Sequence, residues 1–172
     1  MIQSYFENII CARLEDWHKK NLTTFEYNPS FAEGTLAYYL EKVCYHNYQG
    51  WHYEDLGQLS DPEKVIQGWR GSQKNNRHRN QTVQMMDALF AGYYQESAAF
   101  HTESLGVILD KVTILYLKYL HFVEQSTEKS APLLQTIHAL IACTQTLYNE
   151  ILAGKKRCIT FPHVKLYDAK AL

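Results

Sequence analysis

The chain has no excess of charge of either sign. Seventeen Lys and Arg stand against 18 Asp and Glu, for a formal net charge of −1 at pH 7. That balance argues against a nucleic-acid binder working by bulk charge, because such binders carry a strong basic excess. No nucleic-acid partner is expected. One local basic patch exists (Arg70, Lys74, Arg77, His78 and Arg79), but Asn and Gln interrupt it and carboxylates flank it. The four cysteines, Cys11, Cys44, Cys143 and Cys158, show no C-x-x-C spacing and no His-rich window. A zinc ribbon or redox motif is therefore unsupported. Cys11, Cys44 and Cys143 are expected as small core residues on helices. No apolar run reaches the ~18 residues of a membrane span. Met1 to Cys11 lacks a basic start and contains Glu7, so it has no signal-peptide pattern. A reduced cytoplasmic compartment is the default expectation. A nucleophile elbow, a P-loop, a dinucleotide fingerprint, an H-E-x-x-H motif and the two E-x-x-H motifs of a di-iron site are all missing.

What is there is helical patterning. Hydrophobic residues make up 46% and charged residues 20% of 172 residues, the composition of a globular chain that suits one domain with one core. Ile2, Tyr5, Phe6, Ile9, Ile10, Leu14 and Trp17 recur at three- and four-residue steps and predict a helix over 2–20. A second helix is predicted over 32–56, with Ser30 as a candidate cap and Gly57 as its stop. Ser60-Asp61-Pro62-Glu63 reads as a capping box opening a third helix. That helix is expected to reach about Glu96, with a kink or break at Gly68 or Gly71. A fourth helix is predicted over 103–125. A fifth opens at Ala131-Pro132, capped by Ser130, and stops at Gly154. Its expected buried face runs from Leu133 to Leu152. Residues 155–172 have strand-like composition and predict an extended tail packed on the bundle. The fold class is therefore all-α, one bundle of about five helices.

Polar residues crowd faces meant for a core. With Asn47 at zero on its helix, Trp51 falls at about 40°, Glu54 at about −20°, Asp55 at about 80° and His52 at about 140°. With Asn76 at zero, Asn80 falls at about 40° and Asp87 at about 20°, with Arg79 beside that line. The fourth helix repeats the theme with Asp110, Ile114, Leu117 and His121 on one stripe and Lys118 next to it. Buried charges are costly unless paired and hydrogen-bonded, so chains keep them where they build a network or a site. Asp87 meets Asp55 only if the third helix breaks at Gly68 or Gly71 and folds back. Trp51 and Trp69 are expected as packing residues.

Asn47-x-x-x-Trp51-His52-x-Glu54-Asp55 followed by Asn76-x-x-Arg79-Asn80-x-x-Val83-x-x-x-Asp87 resembles the bacterial domain-of-unknown-function 4254 family. Asp110-Lys111 with Thr113, Lys118 and His121 is similar to that family's D-R-x-S…K…H helix. Phe161 to Asp168 is similar to its closing F-K-M-Y-N-D segment. The resemblance covers Leu36 to Asp168, with Gln58 where an Arg is expected and Lys111 in place of another. It implies an all-helical bacterial protein without an assigned activity, and it suggests sugar-nucleotide ligands.

Three chemistries fit the constellation. His52, Asp55 and Asp87, with Glu54, are candidate ligands for a divalent metal. Arg79, Arg77 and Lys118 with Asn donors are candidates for an anion or phosphate pocket. Otherwise the cluster is architectural and the protein works as a partner or scaffold. In the site reading, His52, Glu54, Asp55 and Asp87 are the candidate catalytic groups. Asn47, Asn76, Arg79, Asn80, Asp110, Lys118 and His121 are then the candidate ligand-binding groups. Thirteen tyrosines and three tryptophans leave a homo-oligomer open as the competing reading.

Overall fold

The computed structural model describes residues 1–23, 25–125 and 127–159. The fold is all-α. The first rod is made of α1 (Ile2–Tyr5), a π-helical stretch Phe6–Cys11 and α2 (Ala12–Lys19), with helical backbone angles at both junctions. It buries Ile2, Phe6, Ile9, Ile10, Leu14 and Trp17, which is the stripe the sequence predicts. Then come α3 (Leu36–Gly57), α4 (Pro62–Ala88), a 3₁₀ turn Ala91–Tyr93, β1 (Ala99–His101), α5 (Leu105–Gln125), α6 (Thr127–Leu152) and β2 (Lys156–Cys158).

Several predicted boundaries are corrected. α3 starts at Leu36, where Thr35 caps it by accepting from Tyr38 N at 3.2 Å. Ser30 does not cap it; its amide donates to Glu41 Oε2 at 2.9 Å. Glu41 is buried, pairs with Arg13 at 2.7 Å and accepts from Tyr27 at 3.2 Å, so it ties the 25–31 loop to α2 and α3. The cap of α4 is Asp61, accepting from Glu63 N at 3.0 Å, with Pro62 following. α4 ends at Ala88, where the Leu89 and Phe90 amides tighten onto the carbonyls of Met86 and Asp87. α6 begins at Thr127 and carries Pro132 inside it, so Ser130 is a buried helix residue and not a cap. Cys143 is exposed, because α6 turns Ile137, Ile141, Thr144 and Tyr148 inward and 143 lies opposite Ile141. Leu152 is also largely outside.

α4 does not break. Gly68 and Gly71 are where it presses onto α3. A Cβ on Gly68 would stand 2.6 Å from the Tyr53 carbonyl and 2.9 Å from the Gly57 amide, and one on Gly71 would enter the Tyr53 ring. The glycines permit close approach of two straight helices.

α3 and α4 pair antiparallel, as Asn75 beside Gly50 and Gly71 beside Tyr53 require. α5 runs parallel to α3: Asp110 meets Asn47, and His121 meets Trp51 further along. The first rod closes the bundle against α6, with Ile2 N donating to Gln145 Oε1 at 2.7 Å and Phe6 edge-on to His138. β2 pairs parallel with β1, Ala99 opposite Lys156 and His101 opposite Cys158. The start of the predicted tail is therefore a strand bound to a distant loop. The similar segment Phe161 to Asp168 lies outside the described residues.

Candidate functional site

The predicted polar faces meet along one seam, where α4 and α5 close over α3. Asn47 sits at its centre, buried on α3. Its amide nitrogen donates to Asp110 Oδ1 at 2.8 Å and to Thr113 Oγ1 on α5, and its oxygen accepts from Arg79 Nη1 at 3.2 Å on α4. One Asn side chain thus fixes three helices. Arg79 Nε stands 3.9 Å from Asp110 Oδ1 and has no hydrogen-bond partner among the described residues. The pair is an ion pair at long range, not a two-pronged one. Burial raises the Asp110 carboxyl above the usual Asp range, while the Arg79 charge and the Asn47 hydrogen bond pull against that rise.

One turn outward, Ser72 donates to Glu54 Oε1 at 2.7 Å, and Asn76 reaches Ser72 at 3.5 Å. Asn80 is half-buried on the same face of α4. Glu54 and Asp55 are exposed. A second polar pair lies deeper and was not expected. Asn75 Nδ2 donates to the His46 carbonyl at 2.6 Å, and Asn75 Oδ1 lies 3.0 Å from His46 Nδ1. An amide oxygen only accepts, so the His46 proton sits on Nδ1. Burial pushes His46 down to about 4, which leaves it neutral near pH 7. The sequence signal for this pair was Gly50, the small residue that makes room for Asn75.

The C-terminal end of the seam is a histidine cluster. Trp51 stacks on His121 with centroids 4.1 Å apart and planes 8° apart. His18, from the last turn of α2, meets His121 edge-on at 4.9 Å and its Nε2 is 3.0 Å from Glu124 Oε1. His52 lies edge-on to Tyr48 at 4.7 Å, with Nδ1 3.7 Å from Asp55. Burial lowers both His52 and His121, while the Asp55 carboxylate pulls each the other way. His18 and Glu124 are additions to the predicted set. Glu124 was reachable from its H-x-x-E spacing with His121, whereas nothing local in the sequence links residue 18 to α5.

The structure brings together Asn47, Arg79 and Asp110, with Asn76 and Glu54 linked through Ser72, and it places His52, Asp55 and His121 at one end. Lys118 is exposed on α5. Asp87 does not join them. α4 is unbroken, so the rise from Gly68, which packs on Gly57, to Asp87 is about 28 Å at the helical repeat. The set His52, Asp55 and Asp87 therefore cannot share one ion in this conformation. Asp87 Oδ1 instead accepts from Gly106 N at 2.7 Å in the first turn of α5. It borders a cleft of ≈ 490 Å³ whose wall also includes Gln84, Tyr94, Glu103, Val107 and Ile159, and that cleft is separate from the seam. Of the two tryptophans expected to pack, Trp51 does and Trp69 does not, being 64% exposed. No helix among the described residues is long and apolar enough to cross a membrane.

Neither a curated protein nor a solved structure matches the chain. A family model described as a protein of unknown function (DUF4254) matches residues 37–160, a span that holds every seam residue and leaves out His18. With well over half of its length matched, the chain belongs to the DUF4254 family.

Proposed function

We propose that the protein binds an anionic small molecule, phosphate- or sugar-nucleotide-like, along this seam, with Arg79 as the group that holds the anion. The observation that carries the reading is the state of Arg79. Its guanidinium is positioned by Asn47, yet among the described residues its nearest carboxylate oxygen is 3.9 Å away and Nε has no hydrogen-bond partner, and 26% of the side chain stays exposed. A guanidinium committed to structure takes a close, two-pronged carboxylate. This one is held in place with its charge only partly compensated, as an anion site requires. Asn76 and Asn80 on the same face supply neutral donors that orient a ligand, and Lys118 adds charge from α5. Glu54, Asp55 and His52 stand at the open end, where they would act as base or metal ligands if the bound molecule is also a substrate.

The test is isothermal titration with pyrophosphate, a nucleoside diphosphate and a nucleotide-sugar, on wild type, Arg79→Lys and Arg79→Ala. The expected result is saturable binding of one probe to wild type, and a loss of about tenfold or more in Arg79→Lys, which keeps the charge and loses the fork. Equal binding by all three proteins would refute the assignment.

A second reading has its own observation. Asn47 uses both ends of its amide within the protein, and Ile66 and Trp69 lie exposed on α4. A scaffold with a self-satisfied polar lock would look the same. It predicts no response to any probe and a large fall in melting temperature for Asn47→Ala.

A further inference from the structure

The histidine cluster lies at the end of the anion seam and includes two residues, His18 and Glu124, that the predicted polar faces do not include. His18 on α2 and the i, i+3 pair His121 and Glu124 on α5 each offer one ligand atom, and all three atoms lie within 4.8 Å of one another. We infer that His18, His121 and Glu124 form a binding site for one first-row divalent ion of the Zn²⁺ type.

Four features of the site support this. Two imidazoles and one carboxylate are a nitrogen-rich, borderline donor set, suited to Zn²⁺ or a neighbouring transition ion and not to Ca²⁺ or Mg²⁺, which take mainly oxygen. His18 Nε2 approaches Glu124 Oε1 at 3.0 Å, but off the line of an N–H···O bond, so His18 Nε2 is buried without a hydrogen-bond partner. Among the described residues that nitrogen makes no hydrogen bond, so it is available to an ion. The His121 ring is locked by its stack on Trp51, which is how a surrounding shell orients a ligand. Finally, three protein ligands leave open positions, and nearby His52 has an Nε2 that is also buried with no hydrogen-bond partner among the described residues.

The site depends on the first rod. His18 lies outside the matched family span of 37–160, and packing of the rod on α3 and α5 brings it to His121. Tyr48 donates to the Trp17 carbonyl at 3.0 Å and holds the end of that rod in place.

The experiment is titration of the tag-free, chelator-treated full chain with Zn²⁺ by calorimetry, and with Co²⁺ by its visible spectrum. Wild type is expected to take up one equivalent, with the Co²⁺ absorption of a low-coordinate site. His18→Gln and Glu124→Gln are each expected to weaken uptake by about tenfold or more, since even outer-shell changes cost that much. Glu124 is 61% exposed, so its variant keeps the fold, as circular dichroism would verify. His138→Gln, at a histidine packed on Phe6 away from the cluster, is the control and is expected to bind as wild type does. Three results would overturn the site: no saturable uptake by wild type, unchanged affinity in both ligand variants, or an equal loss in His138→Gln. The readout uses metal alone, so it succeeds or fails independently of anion binding at Arg79.

Discussion

Asp87 accepts from the Gly106 amide in the first turn of α5, where helix amides have no partner of their own. A carboxylate there also meets the positive end of the helix dipole. Ser104 serves the same turn, accepting from Val107 N at 3.2 Å. The residue that looked most like a metal ligand from its helical spacing therefore has a structural task. Asp87→Ala should cost about 1–2 kcal/mol, the range of a lost helix cap, read as a shifted urea midpoint with an unchanged slope. Asp87→Asn, which keeps an acceptor, should lose less. Anion binding should survive both, and its loss at unchanged stability would put Asp87 back in the site. The same comparison says what single residues reveal in a sequence. Asn47 and Asp110 were legible because each breaks an apolar helical face, and such a residue has to find a partner, whereas Arg79 was legible as the charge beside the Asn76–Asn80 line. His18 was not legible, because its partner is on α5 and no local pattern encodes that distance. Asp87 was legible as polar and buried, but one partner it takes is the Gly106 backbone amide, which carries no sequence signal.

Helices were the legible elements, since their stripes recur every three or four residues and need no tertiary knowledge. The first rod, α3 and α5 lie within a few residues of the predicted spans. The misreadings came where two causes share one residue type. Glycine marks a break, and it also marks close contact between helices. Gly68 and Gly71 are the second kind, and with α4 straight the folding-back that would have joined Asp87 to Asp55 does not occur. By propensity alone Gly71→Ala would gain up to about 1 kcal/mol in a helix interior. Here the added methyl enters the Tyr53 ring, so thermal melts should show Gly71→Ala to be less stable than wild type. In a Tyr53→Ala background the obstruction is gone, and the same substitution should become neutral or stabilising. If Gly71→Ala is harmful to the same extent in both backgrounds, the clash is not the cause.

At the scale of the molecule, the family match and the folded unit do not coincide. The match begins at residue 37, yet the first rod contributes Ile2, Phe6, Ile9, Ile10, Leu14 and Trp17 to the same core as α3, α5 and α6. Six buried side chains at roughly 1.5–3 kcal/mol each amount to about 9–18 kcal/mol. That rivals the whole stability of an ordinary domain, about 5–15 kcal/mol. Contacts from the rod also reach both ends of the bundle: Phe6 lies edge-on to Tyr116, Tyr116 donates to Glu15 at 2.6 Å, and Arg13 pairs with Glu41. Residues 21–172 expressed alone should therefore show no cooperative thermal transition and should bind a dye for exposed apolar surface. The single substitution Phe6→Ala grades the same effect in a chain that still folds, with an expected loss of about 3–5 kcal/mol. A sharp, reversible melt of the shortened chain would mean that the rod is an addition to a core complete without it. The histidine cluster would then lose His18 without losing its frame, and the shortened chain would bind Zn²⁺ more weakly with the rest of the fold intact.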